Sequence, residues 1–298
     1  MTPTLGIVLV HFGPTEPTRR ALAAIAGDPS LTARKVVVVD NSNSFSGHSP
    51  IPGLAVLAAP DNPGFGSGAN RGAAALIAGE PLSGYLFLNG DVEIVPGFLD
   101  AAAAALAGGA GAVGGPLYLD EARTQVWYAG GRVVAWRGTV LQERTTDAAA
   151  RRRPVGFIPG AALVVGANAF ATVGGFDERF FLYNEDVDLC LRLSRAGFSL
   201  LFEPEMAAIH HVGGATGSAE RSPLYLEHLT RTRLLPFPSR LHRLWLAVLH
   251  TGWLGVRSVA LLTLRGGRAR AQVAALLRGH RAALASAWSG RLSRRPSR

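Results

Sequence analysis

Short apolar runs that stop at polar loop residues, separated by helix-forming stretches, organise the N-terminal third of this chain and restrict what it can fold into. Leu5–His11 predicts a strand, Thr18–Ala26 a helix, Lys35–Val39 a second strand ending at Asp40, and Leu54–Leu57 a third. The turn Asp61-Asn62-Pro63-Gly64 leads into an Ala-rich helical stretch, Ser67–Ala78. A fourth strand, Tyr85–Leu88, then ends at Asn89-Gly90-Asp91. A strand that is apolar on both sides must be covered on both faces, and strands alternating with helices pair in parallel through crossovers. The expectation is an α/β chain built on a doubly wound, mostly parallel sheet. Ligands of such sheets sit beyond the carboxyl ends of the strands, where Asp40 and Asp91 both fall.

From Gly111 to Val165 the pattern changes to short strands and turns, with an arginine-rich loop at Arg151–Arg153. Asn168–Val173 and Asp186–Ala196 predict helices, the second closing at Gly197. Ser199–Phe202 and Met206–His210 predict short strands. A length of 298 residues with 48% hydrophobic side chains suits one large α/β domain with an appended tail. Leu5–Val10 lacks a basic leader and a small-residue cleavage site, so it reads as a core strand and not as a signal peptide. Cys190 is the only cysteine, which excludes an internal disulfide framework and a thiolate metal site and makes a cytoplasmic location the default.

Charge divides the chain. Between Arg231 and Arg298 there are fourteen arginines and no Asp or Glu, so the other 230 residues carry 16 basic and 21 acidic groups. An acidic body with a basic tail draws polyanions, either an anionic membrane surface or nucleic acid. Pro236 and Pro238 mark the boundary, giving residues 1–236 as a catalytic domain and 237–298 as a tail.

Four stretches carry the chemistry. After the second strand comes Asp40-Asn41-Ser42, where a carboxylate can accept a hydrogen bond from a ring N–H of uracil or thymine. An ordinary strand-terminating Asx turn explains the same residues. In Asn62-Pro63-Gly64-Phe65-Gly66-Ser67-Gly68-Ala69-Asn70, alternate glycines before a helix permit close approach of a phosphate to a helix N-terminus. In Asn89-Gly90-Asp91-Val92-Glu93, Asp91 can supply the one carboxylate that a hard divalent cation needs beside diphosphate oxygens, while Glu93 points the opposite way along an extended chain. His210-His211 precede Gly213-Gly214, and an imidazole can complete a mixed N/O shell.

The densest signal is Gly174-Gly175-Phe176-Asp177-Glu178-Arg179-Phe180-Phe181-Leu182-Tyr183-Asn184-Glu185-Asp186-Val187-Asp188-Leu189-Cys190, in which five acids alternate with aromatics. Buried carboxylates are expensive unless paired or working. The helix dipole explains acids at a helix start, but not so many among Phe and Tyr.

These pieces, in this order, resemble glycosyltransferase family 2, the inverting GT-A fold, and its rhamnosyltransferase-like branch. The match also takes in Pro159-Gly160-Ala161 and runs from about Leu5 to Arg233. The resemblance implies that Asp186 is the general base. It implies that Asp40, Asn41, Asn62, Gly64, Phe65, Gly66, Asn70 and Asn89 border the donor, and that Gly160, Asp177, Glu178, Glu185 and Asp188 contact the acceptor or support the site. Mg²⁺ or Mn²⁺ would be held by Asp91 with His211, or alternatively His210. The donor would be a pyrimidine nucleotide-sugar, dTDP-rhamnose or a UDP-sugar, and the acceptor a glycan or a polyprenyl-linked glycan of the cell envelope. Two other readings compete. A sugar nucleotidyltransferase needs a basic Gly-rich loop that His11-Phe12-Gly13-Pro14-Thr15-Glu16 does not supply. A nucleic-acid-binding module needs a reading motif or a stacking platform, so no nucleic-acid partner is expected.

In the tail, Leu244–Leu264 is interrupted by His250 and Arg257, which argues against a membrane span. Arg243, His250 and Arg257 share one helical face. Trp245, Val248, Leu249, Trp253, Val256 and Ala260 form another. Past Gly266-Gly267 the pattern repeats, with Val273, Leu276, Leu277, Leu284 and Trp288 against Arg270, Arg278 and Arg281. Basic amphipathic helices of this kind lie in a bilayer interface, which places the protein at the inner face of the plasma membrane. A helical pair packed on the catalytic domain, with its arginines solvated, is the alternative.

Overall fold

The computed structural model describes residues 4–30, 35–46, 49–77, 81–211, 222–265 and 269–289. The glycines at 213–214 and 266–267, the Trp288 side chain and the arginines from 291 onward lie outside the described residues. The first half follows the expected alternation. It runs β1 (Leu5–His11), α1 (Thr15–Ala26), β2 (Lys35–Asp40), β3 (Ala55–Ala58), α2 (Phe65–Ile77) and β4 (Gly84–Asn89), then β5 (Val92–Ile94) and α3 (Phe98–Ala107). Next come β6 (Ala112–Gly114), β7 (Leu117–Tyr118), β8 (Val126–Tyr128), β9 (Gly131–Val134), β10 (Thr139–Gln142), α4 (Thr146–Ala149), β11 (Arg153–Pro154) and β12 (Ala162–Gly166). The chain finishes with α5 (Ala167–Val173), α6 (Glu185–Arg195), β13 (Leu200–Phe202), β14 (Ala208–His210), α7 (Pro223–Thr232), α8 (Arg240–Arg265) and α9 (Arg270–Ser289).

An eight-stranded sheet in the order β11-β13-β6-β12-β4-β1-β2-β3 forms the centre. Strands β1, β2, β3 and β4 pair in parallel, with His11 opposite Asp40. Strand β12 inserts antiparallel between β4 and β6. Every residue of β1 is buried, as a strand with helices packed around it requires. A smaller sheet, β5-β14-β7-β8, and the hairpin β9–β10 stand beside it. The register of β5 and β14 sets His210 opposite Val92, which brings the His210 end beside Asp91.

Helix α2 starts two residues earlier than the sequence predicts, so the alternate glycines lie inside its first turns. Packing explains them. A Cβ on Gly66 would sit 3.1 Å from Phe176, one on Gly68 3.2 Å from Asn41, and one on Gly72 2.3 Å from Val8. Gly64 has φ +88°, and a Cβ there would meet the Phe181 carbonyl oxygen at 2.1 Å. The glycine spacing therefore serves close helix–sheet packing and one tight chain crossing.

The tail is helical as expected, but its two helices differ. On α9 the apolar face turns inward: Val273 and Leu276 are buried while Arg270, Arg278 and Arg281 are exposed. On α8 the sides are exchanged. Leu246, Ala247, His250 and Leu254 are buried, whereas Trp245, Val248, Trp253, Val256 and Val259 face outward. The inward side is pinned by His250, whose Nε2 lies 2.8 Å from the Arg137 carbonyl oxygen, and Trp245, though half-exposed, donates its indole N–H to the Trp136 carbonyl at the edge of that contact. Helix α7, which precedes Pro236, packs on α9, which follows it. Gly279 lies so close to α7 that a Cβ would be 2.4 Å from the Glu227 carbonyl oxygen.

Gly64→Ala should cost about 3 kcal/mol or more, combining left-handed strain with a backbone collision. The measured Tm should then fall by roughly 6 °C or more. Gly252→Ala, in an open stretch of α8, should leave Tm unchanged or raise it, because alanine favours helix.

Candidate active site

The carboxyl ends of β1, β2 and β4 open onto a cavity of about 820 Å³. Of the residues the sequence singles out, the cavity wall carries Asn41, Asn62, Gly64, Phe65, Asn89, Asp91, Gly160, Glu185, Asp186 and His210. Stretches from six parts of the chain converge here because the strands end on one side and α6 points its N-terminus at the same space.

Two carboxylates at the start of α6 occupy one wall. The chain reaches them through Tyr183 and Asn184, both left-handed at φ +65° and +66°. Such a conformation is strained for tyrosine. The turn is held from outside: the Asn184 side-chain amide donates to the Leu229 carbonyl and to Thr232 Oγ1. Asp186 Oδ2 accepts from the Gly160 N–H at 3.0 Å and Oδ1 from the Val187 N–H at 2.8 Å. Burial pushes the Asp186 carboxyl up, and these two N–H groups oppose it. Glu185 is buried, its Oε2 has no partner, and burial together with the Asp186 charge pushes it up to about 8. At neutral pH Glu185 is thus largely protonated, with the neighbouring Asp186 carboxyl contributing to that rise. Neighbouring carboxyls whose environments separate their pKa values mark an acid–base site.

Asp91 and His210 face each other with Oδ1 and Nε2 3.5 Å apart, and both are nearly buried. The sequence favours His211 as the partner of Asp91, with His210 as the alternative; here the His210 imidazole faces Asp91, while His211 is 2.9 Å from Glu93, which also pairs with Arg20. Adjacent strand residues point to opposite faces, so only one of two neighbouring histidines can meet Asp91. Among the described residues no group of three or more His, Cys, Asp or Glu can enclose a metal ion. Two donors suit a hard cation that takes its remaining ligands from a diphosphate. Neighbouring ligands at the usual 2.0–2.1 Å from one cation lie about 3 Å apart, close to the separation here.

Several expected donor contacts lie elsewhere. Asp40 is not on the cavity wall. Its Oδ1 accepts from the Ser42 N–H and hydroxyl, and its Oδ2 from the Phe45 N–H. Burial alone would push this carboxyl up, but those donors outweigh it and hold the pKa below the ordinary value. The Asx-turn reading describes what is seen, and Asp40 shapes the loop at 42–45. Gly66 and Asn70 also turn away from the cavity. Asn70 exchanges hydrogen bonds with the backbone of Phe176 and so fastens the Gly175–Phe176 turn to α2.

The remaining acids of the aromatic-rich segment are structural in their contacts. Asp188 pairs with Arg192 at 2.6 Å, and Arg192 donates to the carbonyls of Val173 and Gly175. Asp177 pairs with Arg179 at 2.6 Å, and Glu178 stands 3.5 Å from the Asn70 amide. Phe176 anchors the segment by packing edge-on against Phe65 and Phe87.

Sequence reasoning missed another part of the wall. Phe12 at the end of β1 is exposed to the cavity, and Trp127 meets His210 edge-on with an indole N–H that has no acceptor. Helix α7 contributes Tyr225 and His228, and Arg233 follows just beyond its end. The signal was present as helical spacing, with Leu224, Tyr225, His228 and Leu229 on one face.

Residues 47–234 match the profile of the family described as glycosyltransferase-like family 2. The chain is 32% identical to the N-acetylglucosaminyl-diphospho-decaprenol L-rhamnosyltransferase of Mycobacterium tuberculosis, over 90% of this chain and 92% of that one. A stretch covering 19% of the chain is 46% identical to the rhamnosyltransferase WbbL of Escherichia coli, where it covers 22%. In three dimensions the chain is similar to the mannosyltransferase PcManGT from Pyrobaculum calidifontis in complex with GDP-Man and Mn²⁺, with a TM-score of 0.56 and 14% identity, covering 97% of this chain and 88% of that one. It is also similar to GalNAc-T7 with UDP, GalNAc and Mn²⁺, with a TM-score of 0.55 and 14% identity over 77% of this chain and 47% of that one. The fold is that of the GT-A glycosyltransferases.

The raised pKa of Glu185 predicts a stability effect with a definite sign. An unfolded glutamic acid ionises near 4.5 and the folded one near 8, so between those values the native state holds the extra proton. Stability is therefore lost as pH rises across that window. Glu185→Gln, which keeps the neutral shape, should match the parent at pH 4 and exceed its Tm at pH 8 by about 3 °C or more. Equal Tm differences at both pH values would contradict the assignment.

Proposed function

The chain belongs to glycosyltransferase family 2, and from that premise we propose an inverting transfer of a sugar, with rhamnose favoured, from a dTDP- or UDP-linked donor to a hydroxyl of a lipid-linked glycan. The observation that carries this reading is Asp186. Its carboxylate accepts from the Gly160 N–H on the wall of the cavity that also holds Asp91 and His210, a contact that favours the charged form against the burial that raises its pKa. The rhamnosyltransferase name of the mycobacterial relative, and its diphospho-decaprenol acceptor, support the choice of sugar and acceptor class.

In this mechanism Asp186 removes the proton from the acceptor hydroxyl as that oxygen attacks the anomeric carbon opposite the departing diphosphate. A productive base lies about 2.6–3.2 Å from the oxygen it deprotonates. Protonated Glu185 donates a hydrogen bond to the acceptor and leaves Asp186 to carry the charge. Phe12 offers its ring to the pyrimidine base at the end of β1, and the loop braced by Asp40 closes that side. Asn41, whose Oδ1 has no partner, presents an acceptor to the donor. A divalent cation, Mg²⁺ or Mn²⁺, would be held by Asp91 and His210 and, when bound, would neutralise charge growing on the leaving diphosphate.

Helix α8 supports a reading in which this chemistry takes place at a membrane. Arg240–Leu264 is long and apolar enough to cross a bilayer by length and composition, yet its His250 side is committed to the protein. A helix that turns His250 inward and Trp245, Val248 and Val256 outward is suited to lie in an interface. Exposed Arg240, Arg270 and Arg281 add attraction of about 1 kcal/mol each near anionic lipid. Nucleotide-sugars and lipid-linked glycans meet at the cytoplasmic face, which is where the reading puts the protein.

Asp186→Asn should reduce transfer by about 10²- to 10⁴-fold, the usual weight of a general base. Its nucleotide affinity by calorimetry should be retained; near-normal turnover would sink the role. Replacing Trp245, Val248 and Val256 together by serine should abolish cosedimentation with anionic liposomes. Unchanged cosedimentation would remove α8 from the interface.

A further inference from the structure

Arg233 is the least explained charge in the molecule. It lines the cavity, it is largely withdrawn from water, and among the described residues it has no carboxylate partner. Its charged neighbour is another cation, Arg257, and both guanidiniums lie over the ring of Trp253, at 5.5 and 4.8 Å from its centre. Two like charges against one ring repel each other, and a buried cation without a counter-ion is costly. An anion entering the cavity would relieve both penalties.

A second observation points to the same ligand. His228, on α7 one turn before Arg233, lines the cavity at 2% exposure, and among the described residues its Nδ1 has no hydrogen-bond partner. Glu185 and Asp186 line the same cavity from the start of α6, and neither forms an ion pair with Arg233 among the described residues. Glu227 is engaged by Arg278 at 2.8 Å, and no Asp or Glu occurs from Arg231 to the end of the chain. Burial, with the Arg257 charge beside it, lowers the Arg233 pKa only to about 10, so the charge persists at neutral pH.

Position separates this cluster from the donor site. The donor elements are the ends of β1, β2 and β4 and the start of α2, whereas Arg233, Arg257 and Trp253 belong to the α7–α8 corner. Trp253 is 43% exposed and stands in the outward apolar row of α8 with Val256 and Val259. The cations therefore lie where the polar cavity meets the apolar face. A ligand with a doubly charged head and a hydrocarbon chain satisfies both sides at once.

We propose that Arg233, with Arg257 behind it and His228 beside it, binds the diphosphate of the lipid-linked acceptor, whose hydrocarbon chain leaves the cavity over the exposed face of α8. The proposal rests on the glycosyl-transfer reading for the identity of the acceptor, but the binding site stands on its own geometry. Arginine suits the task because its planar fork meets phosphate oxygens in pairs.

The test uses farnesyl diphosphate as the probe, titrated by calorimetry into the full chain saturated with dTDP and Mn²⁺. Wild type should bind it with the nucleotide in place. Farnesol and inorganic diphosphate should each bind more weakly, which separates a lipid diphosphate from either half alone. Arg233→Gln should weaken binding by about 10- to 100-fold, the effect of one lost charge-assisted contact, and Arg233→Lys should recover part of it. Arg257→Gln should act in the same direction and serves if Arg233→Gln folds poorly. Affinity for dTDP should be the same in all four proteins. Competition between farnesyl diphosphate and dTDP would overturn the proposal, as would equal probe binding by wild type and both glutamine variants. Loss of dTDP affinity in Arg233→Gln would reassign the arginine to the donor. Binding requires no turnover, so failure of the wild type to transfer a sugar would count against the transfer reading and leave the site readable.

Discussion

The site depends on one crossing of two backbones. Phe65 N–H donates to the Phe181 carbonyl oxygen at 3.2 Å, at a point where Gly64 leaves no room for a side chain. The Asn41 amide reaches the Gly64 carbonyl from the other side at 3.0 Å. These contacts join the end of β2, the start of α2 and the segment that leads to Asp186. Donor-side and acceptor-side elements lie far apart in sequence, and this crossing, with the paired Asn70–Phe176 hydrogen bonds behind it, joins them. If the crossing opened, Phe65 would shift. Gly160, whose Cα lies against the Phe65 ring, would no longer hold Asp186. Charge placement at the base is therefore a consequence of packing at a glycine.

The crossing also explains how five acids are tolerated among aromatics. Each of the three outside the cavity has a basic or amide neighbour: Asp177 with Arg179, Asp188 with Arg192, and Glu178 with the Asn70 amide. The two within it share an environment that can ionise only one of them comfortably. Backbone N–H groups favour the charged form of Asp186, whereas Glu185 has no such donors on Oε2 among the described residues and is pushed up to about 8. The desolvation that would be wasteful in a structural acid is useful in a base, because it raises proton affinity toward the pH at which the group works.

The parallel half of the sheet was legible because its signal is local. Apolar runs such as Lys35–Val39 and Tyr85–Leu88 form strands wherever the rest of the chain goes, and Asp91 follows from its place after one of them. The convergence of Asp186 with Asp91 was legible only through the order of several motifs, since neither residue's neighbours name the other. Three features were not legible for a physical reason. The choice between His210 and His211 depends on the register of β14 against β5, and a one-residue slip exchanges them. The saturation of Asp40 depends on where the Phe45 N–H falls after a loop. Arg233 was hidden in bulk charge, because a count of arginines does not show which of them has lost its water.

Helix α8 shows why periodicity alone could not orient the tail. The spacing of Arg243, His250 and Arg257 against Trp245, Val248 and Val256 defines two faces but does not say which of them meets the protein. The rule for soluble helices would bury the tryptophans. In this helix His250 is buried and bonded to Arg137, while the apolar row faces outward. The arrangement is favourable only if something apolar covers that row, because otherwise several large side chains would be left against water at about 25 cal/mol per Å². It also requires a use for the cations turned inward, which gain no lipid headgroups from that side. A membrane on the outer face meets the first requirement. A polyanion in the cavity meets the second. The proposed acceptor, carrying a diphosphate on a long hydrocarbon chain, would meet both requirements at once, so the outward apolar row of α8 and the arginine without a carboxylate partner among the described residues would have one explanation.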